Sequence, residues 1–219
     1  MKKIIQSSIF KRFLILLILL FVYTIICAFS YVNAVSSNIE SSVFRLHVIA
    51  NSNSKEDQDL KYIVRDNILK YINDISKTAT SKEEVINIAQ NKINTIKEIA
   101  QKTVYENGYN YEVNVKIGNF AFPTKHYGDI SFPAGFYDAL RVEIGSASGQ
   151  NWWCVMFPPL CFVDVSSGVV PEESKEFLQE SLSSEEYSLL SENENSNDMN
   201  FKFKIVELFQ NIGIKLAQS

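Results

Sequence analysis

Four residues in this chain could assemble a hydrolytic centre: Cys154 as nucleophile, His47 or His126 as base, and Asp164 to orient the imidazole. A reactive thiolate sits beside positive charge or at a helix N-terminus, whereas Cys154 lies in NWWCVMF, an apolar stretch that would raise its pKa. The two histidines are widely separated and neither has a neighbour at metal-ligand spacing, so no zinc site is expected. His47 alternates with Arg45 as residues on a strand face do, and His126 belongs to a Pro/Gly turn region. Glycine-rich phosphate loops, G-x-S-x-G elbows and Asp-[Ser/Thr]-Gly motifs are missing; Asp164-Val165-Ser166 lacks the glycine. The expectation is a non-enzyme without catalytic, cofactor-binding or metal residues. An exported cysteine-dependent hydrolase or cell-wall-active protein is the alternative.

Residues 120–162 hold ten aromatics and four prolines. Aromatic core packing with Pro-shaped turns is one reading. The functional reading is a rigid partner-binding patch of Phe132, Pro133, Trp152, Trp153, Phe157, Pro158 and Pro159, because such side chains give large contact area at low entropy cost. Carbohydrate stacking on an exposed tryptophan is a third. Successive Trp152 and Trp153 point to opposite faces of a strand, so one can enter the core while the other stays accessible.

Compartment follows from the first residues. Lys2, Lys3, Lys11 and Arg12 precede an uncharged apolar run over residues 13–29, the order of a secretory signal. Cleavage after Ala34, or within Ala28–Ser30, and retention as an anchor are both open, and both place residues 35–219 outside the cytoplasm. Cys27 follows two isoleucines and is read as part of the run, not as a lipidation site. The other 17 Lys+Arg stand against all 25 Asp+Glu, a balance of −8 that argues against nucleic acid as a partner. For Cys154 and Cys161 in an exported chain, a disulfide and two buried thiols both fit.

The elements that must position these groups follow from patterning. No Gly or Pro occurs before Gly108, so a helical half precedes a strand-and-turn half. VFRLHVIA (43–50) reads as a strand. Ser54 caps a helix over about 55–74 with Leu60, Ile63, Val64, Ile68, Tyr71 and Ile72 on its apolar face. Ser81 and Glu84 open a second helix, read as continuous from Val85 to Val104 and ended by Asn107–Gly108. Strict alternation predicts a strand over 109–117, with others near 136–144, 152–157 and 160–165. Two amphipathic helices on a mostly antiparallel sheet make an α+β fold. The division expected is 1–34 signal or anchor, 35–171 extracytoplasmic domain, 172–199 acidic Ser-rich linker, and 200–219 amphipathic helix. On that last helix Ile205, Leu208, Phe209 and Ile212 share a face, either docked on the core or turned to a membrane or partner.

FRLHVIANSNSKEDQDLKYIVRDNILKYI (44–72) and FPTKHYGDISFPAGFYDALRVEIGSASGQNWWCVMFPPLCFVDVSSG (122–168), with the capped helix between them, resemble the stage II sporulation protein R family of endospore-forming bacteria. The resemblance covers roughly residues 40–170. It implies a secreted or membrane-anchored signalling protein rather than an enzyme, made in the forespore and exported into the space between forespore and mother cell. There it would activate the mother cell's membrane-embedded aspartic protease, stage II sporulation protein GA, which processes the precursor of sigma factor E. The implied mechanism is allosteric, by binding the active state of the protease more tightly than the resting one. It carries over no residue-level site.

Overall fold

The computed structural model describes residues 8–161, 170–191 and 197–217. It begins with one long helix, α1 (Ser8–Ser42), which leads through Val43 into β1 (Phe44–Ile49). Three helices follow, α2 (Lys55–Ile75), α3 (Lys82–Asn91) and α4 (Ile93–Glu106), then strands β2 (Val113–Phe122), β3 (Lys125–Tyr127), β4 (Ile130–Phe132), β5 (Gly135–Ile144) and β6 (Asn151–Phe157). The chain closes with α5 (Glu172–Ser181), α6 (Ser184–Leu190) and α7 (Asn197–Ala217). The main sheet has the order β2-β5-β1-β6, antiparallel except for the β5–β1 pair, and β3–β4 form a separate hairpin. The fold is α+β, as the patterning predicts.

Strand alternation divides the sheet into two unlike faces. Leu46 and Val48 lie in register with Leu140 and Val142 and, through them, with Ile117 and Val115. They form one apolar core with Leu60, Val64 and Ile68 of α2 and with Val85, Ile96 and Val104 of α3 and α4. Arg45 and His47 point the other way, toward Val35 and Ile39 of α1, Phe122, Tyr137, the hairpin and the C-terminal helices.

Local chemistry explains the helix starts. Ser54 accepts from the Asp57 N–H at 3.2 Å, and Glu56 and Asp57 favour the positive end of the helix dipole. Ser81 accepts from the Glu84 N–H, while Glu84 reaches back one residue further than in a standard capping box, to the Thr80 N–H at 2.7 Å.

Five expectations need correction. The 85–104 helix is two, broken at Lys92, whose N–H bonds to Ile88 and Ala89 carbonyls. No Gly or Pro marks the break; it lets α4 lie along α2 and β2 while α3 turns toward β1, where Lys82 reaches Asp138 at 2.7 Å. The 109–117 strand starts later, at Val113, since Tyr109 and Tyr111 stack on each other at 5.4 Å outside the ladder. Much of the acidic 172–198 stretch is not a solvated linker: it forms α5 and α6, which with Leu182 between them bury Leu178, Leu189 and Leu190, while their acids other than Glu186 face water. Ile63, read as a core-facing residue of α2, is exposed, and Leu69 takes a buried place instead. Of the strand expected at 160–165, Leu160 and Cys161 form part of a turn and the remainder lies outside the described residues.

Candidate functional site

The signature around ANSNS is first a structural lock. The Asn51 amide donates to Asp57 Oδ2 at 2.9 Å, its Oδ1 accepts from the Ser146 N–H at 2.9 Å, and the Ser52 hydroxyl donates to Asp57 at 2.6 Å. Ser146 and Ser148 hydroxyls both reach the Asn51 carbonyl at 2.7 Å. A Cβ at Gly149 would collide with the Ser52 carbonyl, so the β5–β6 turn can close on this loop only with glycine there. Burial alone would raise the Asp57 pKa, but the Ser52 and Asn51 hydrogen bonds prevail and hold it below the usual carboxylate range. Lys61, also buried, donates to Gln58 Oε1 and the Gln150 carbonyl, tying α2 to the same turn.

The sheet face away from α2–α4 holds the unusual chemistry. Arg45 is fully buried and has no carboxylate partner among the described residues: its guanidinium carbon lies 4.2 Å from the Phe122 ring centre and 4.6 Å from that of Tyr137, and Nη2 donates to Tyr127 Oη at 3.1 Å. Among the described residues its Nε and Nη1 have no hydrogen-bond partner. Ring faces carry negative potential, so the aromatic cage supplies part of what a carboxylate would. Two positions on, His47 Nε2 bonds Asn151 Oδ1 at 2.7 Å and the ring stacks on Trp153 at 5.6 Å. Burial drives the His47 pKa down to about 4, so the imidazole is neutral at pH 7.

Beside it, among the described residues, lies the edge strand of the main sheet, whose Val155 carbonyl accepts from the Leu160 N–H at 3.0 Å. β6 ends the main sheet, and a groove of about 270 Å³ separates it from β3, lined by Lys125, Tyr127, Asn151, Trp153, Leu160 and Cys161 among others. The Lys125 ammonium stands 5.1 Å from the Trp153 ring centre. Trp152 turns to the opposite face, under Arg65 at 4.3 Å and edge-on to Tyr62. The turn after β6 contains a cis Phe157–Pro158 peptide and is closed by a Cys154–Cys161 disulfide, with Cα atoms 5.1 Å apart.

The patch expected from composition does not survive intact. Phe132, Pro133 and Pro158 are buried within the chain itself, because the β4–β5 connection and the cis-proline turn fold inward; Phe132 packs in the core beside Tyr127. Trp152, Trp153 and Phe157 are half-buried and Pro159 is exposed, with Phe157 edge-on to Phe177 of α5. Nor does the sheet assemble the hydrolytic set. Cys154 is buried, disulfide-bonded and on the α2–α4 face, while His47 is on the other. His126 bonds Ser131 on the hairpin, and Asp164 lies outside the described residues. The Arg45 cage and the Asn51 lock were missed; the only sequence signal was a cation and a histidine at alternate positions of an otherwise apolar strand.

Fold and groove define an α+β domain carried on an apolar N-terminal helix, with a groove beside its edge strand and a tryptophan. Residues 40–167 match the family model described as stage II sporulation protein R, more than half of the chain, and the chain belongs to that family. It is 41% identical over 138 residues to stage II sporulation protein R of Bacillus subtilis (strain 168), an alignment covering 63% of this chain and 62% of that protein. The chain thus aligns with less than two thirds of the curated relative's length. No solved structure matches it. Most of α1 and all of α5–α7 lie outside the matched residues.

Proposed function

We propose that this chain is an intercellular sporulation signal: exported from the forespore, it activates the mother cell's membrane-embedded aspartic protease, stage II sporulation protein GA, which then processes the precursor of sigma factor E. The family match over residues 40–167 carries the reading. The apolar N-terminal helix suits export, and the groove beside β6, walled by Trp153 and Lys125, suits docking of an extended segment of a partner. Trp153, Trp152, Phe157 and Pro159 are the contact residues of this reading. To activate, the domain must bind the active protease more tightly than the resting one; equal affinity shifts nothing.

The test is co-expression, in a non-sporulating bacterial host, of the protease, the sigma factor precursor and this chain, following precursor cleavage by immunoblot. Cleavage that appears with the exported chain, and not with one lacking residues 1–34, is the expected result. Trp153→Ala should weaken cleavage several-fold with the unfolding transition retained. No cleavage in the presence of exported, folded protein and its cognate protease would overturn the proposal. The hydrolase alternative predicts a different pattern, loss of function on Cys154→Ser with the fold intact.

A further inference from the structure

α1 belongs to two structures at once. Its upstream side chains from Phe13 to Ile26 are almost all exposed and apolar, while downstream Val32, Val35 and Ile39 are buried in the domain core, Val32 to 1%. The helix runs unbroken between them, and it is long and apolar enough to cross a membrane. Contacts at the junction are specific: the Tyr31 hydroxyl donates to Glu185 at 2.9 Å, the Asn38 amide to Glu186 at 2.6 Å, and the Phe29 ring meets Phe209 of α7 at 6.2 Å.

We propose that α1 is retained, uncleaved, as a rigid stalk, and that α7 seats the domain on the outer leaflet of the same membrane. From Phe13, just past Lys11 and Arg12, to Tyr31 the helix rises roughly 28 Å at about 1.5 Å per residue, close to the ~30 Å hydrocarbon layer. The Phe29–Phe209 contact therefore falls at the water interface. There α7 turns Val206 into the domain, anchors Glu207 to Thr124 at 2.8 Å, and leaves Leu208 (59% exposed) and Ile212 (48%) facing out one turn apart. Exposed Lys204 and Lys215 on the same helix suit phospholipid headgroups. Cleavage after Ala34 would strip Val32 from the core together with the Tyr31 and Phe29 contacts. A stalk without a flexible joint holds the β6 groove at a fixed height, so the domain would act only on a partner in a closely facing membrane.

The experiment needs no protease, so its failure is separate from failure of the signalling proposal. The full chain with a C-terminal epitope is expressed in a non-sporulating bacterial host, fractionated with an alkaline carbonate wash, and its intact mass measured. The expected species has the mass of the unprocessed chain and stays in the washed membranes; a species beginning at or near Val35 and released from them overturns the stalk. For α7, a fluorophore is attached through Leu208→Cys, or through Tyr105→Cys on α4, in a Cys27→Ser background reconstituted into phosphatidylglycerol–phosphatidylethanolamine vesicles. Spin-labelled lipids should quench the α7 position several-fold more than the α4 position. Equal quenching overturns the seating.

Discussion

The two faces of the main sheet are made from the same strands and do opposite things. Under α2–α4, Leu46, Val48, Leu140 and Val142 form an apolar layer with Leu60, Val64, Ile96 and Val104. One residue along each strand, the other face presents Arg45, His47, Arg141 and Glu143. Burial is similar for Leu46 and Arg45, yet the first gains from leaving water and the second loses. The first face supplies stability. The second packs an apolar cluster of its own around Ile39, Phe132 and Tyr137 but buries Arg45 and His47 with it, and it is the face next to the groove.

The largest effect should come from breaking the apolar side. Leu46→Ala in the detergent-solubilised full chain is expected to cost roughly 2–5 kcal/mol by denaturant unfolding. A cost below about 1 kcal/mol would mean that α2–α4 are not the stabilising layer. Next comes acid on the polar side. With its folded pKa near 4 against an ordinary 6.5, His47 takes its proton later in the folded chain than in the unfolded one. Its contribution is fully present above pH 6.5 and lost as pH falls toward 4. That amounts to about 3 kcal/mol, read as the extra stability lost on acidification by wild type over His47→Gln.

Arg45→Met should change stability by no more than about 1 kcal/mol, since relief of an unpaired buried cation offsets the lost ring contacts. If it costs as much as Leu46→Ala, the cage is a structural anchor and the contrast between the faces fails. The smallest effect is expected at the rim. Lys116→Ala removes a partly exposed pair with Glu143, 3.1 Å apart, and should cost about 0.5 kcal/mol at low salt and less at high salt.

Legibility tracked how local each feature is. Ser54 and Ser81 announce their helices because a cap needs only the next turn, and Leu140, Val142 and Ile144 announce β5 because the strand period is two. The break at Lys92 was hidden, since it depends on where α2 and β1 lie rather than on its own neighbours. The acidic 172–190 stretch misled through composition: its few leucines are spaced to dock, and six acids obscured them. Trp152 and Trp153 were correctly split between faces, but the split alone does not say which face is open.

By itself the sequence determined the α+β class, the capped helices, the apolar N-terminal segment and the family, all of which rest on short-range patterning or continuous motifs. Tertiary structure decided what is made by distant chain segments meeting: the aromatic cage on Arg45, the neutral His47 against Asn151, the inward turn of Phe132 and Pro133, and the groove at β6. The physical reason is common to all four. A residue's burial and pairing depend on what lies across the sheet, and strand order, which sets those neighbours, is fixed only when β1 inserts between β5 and β6.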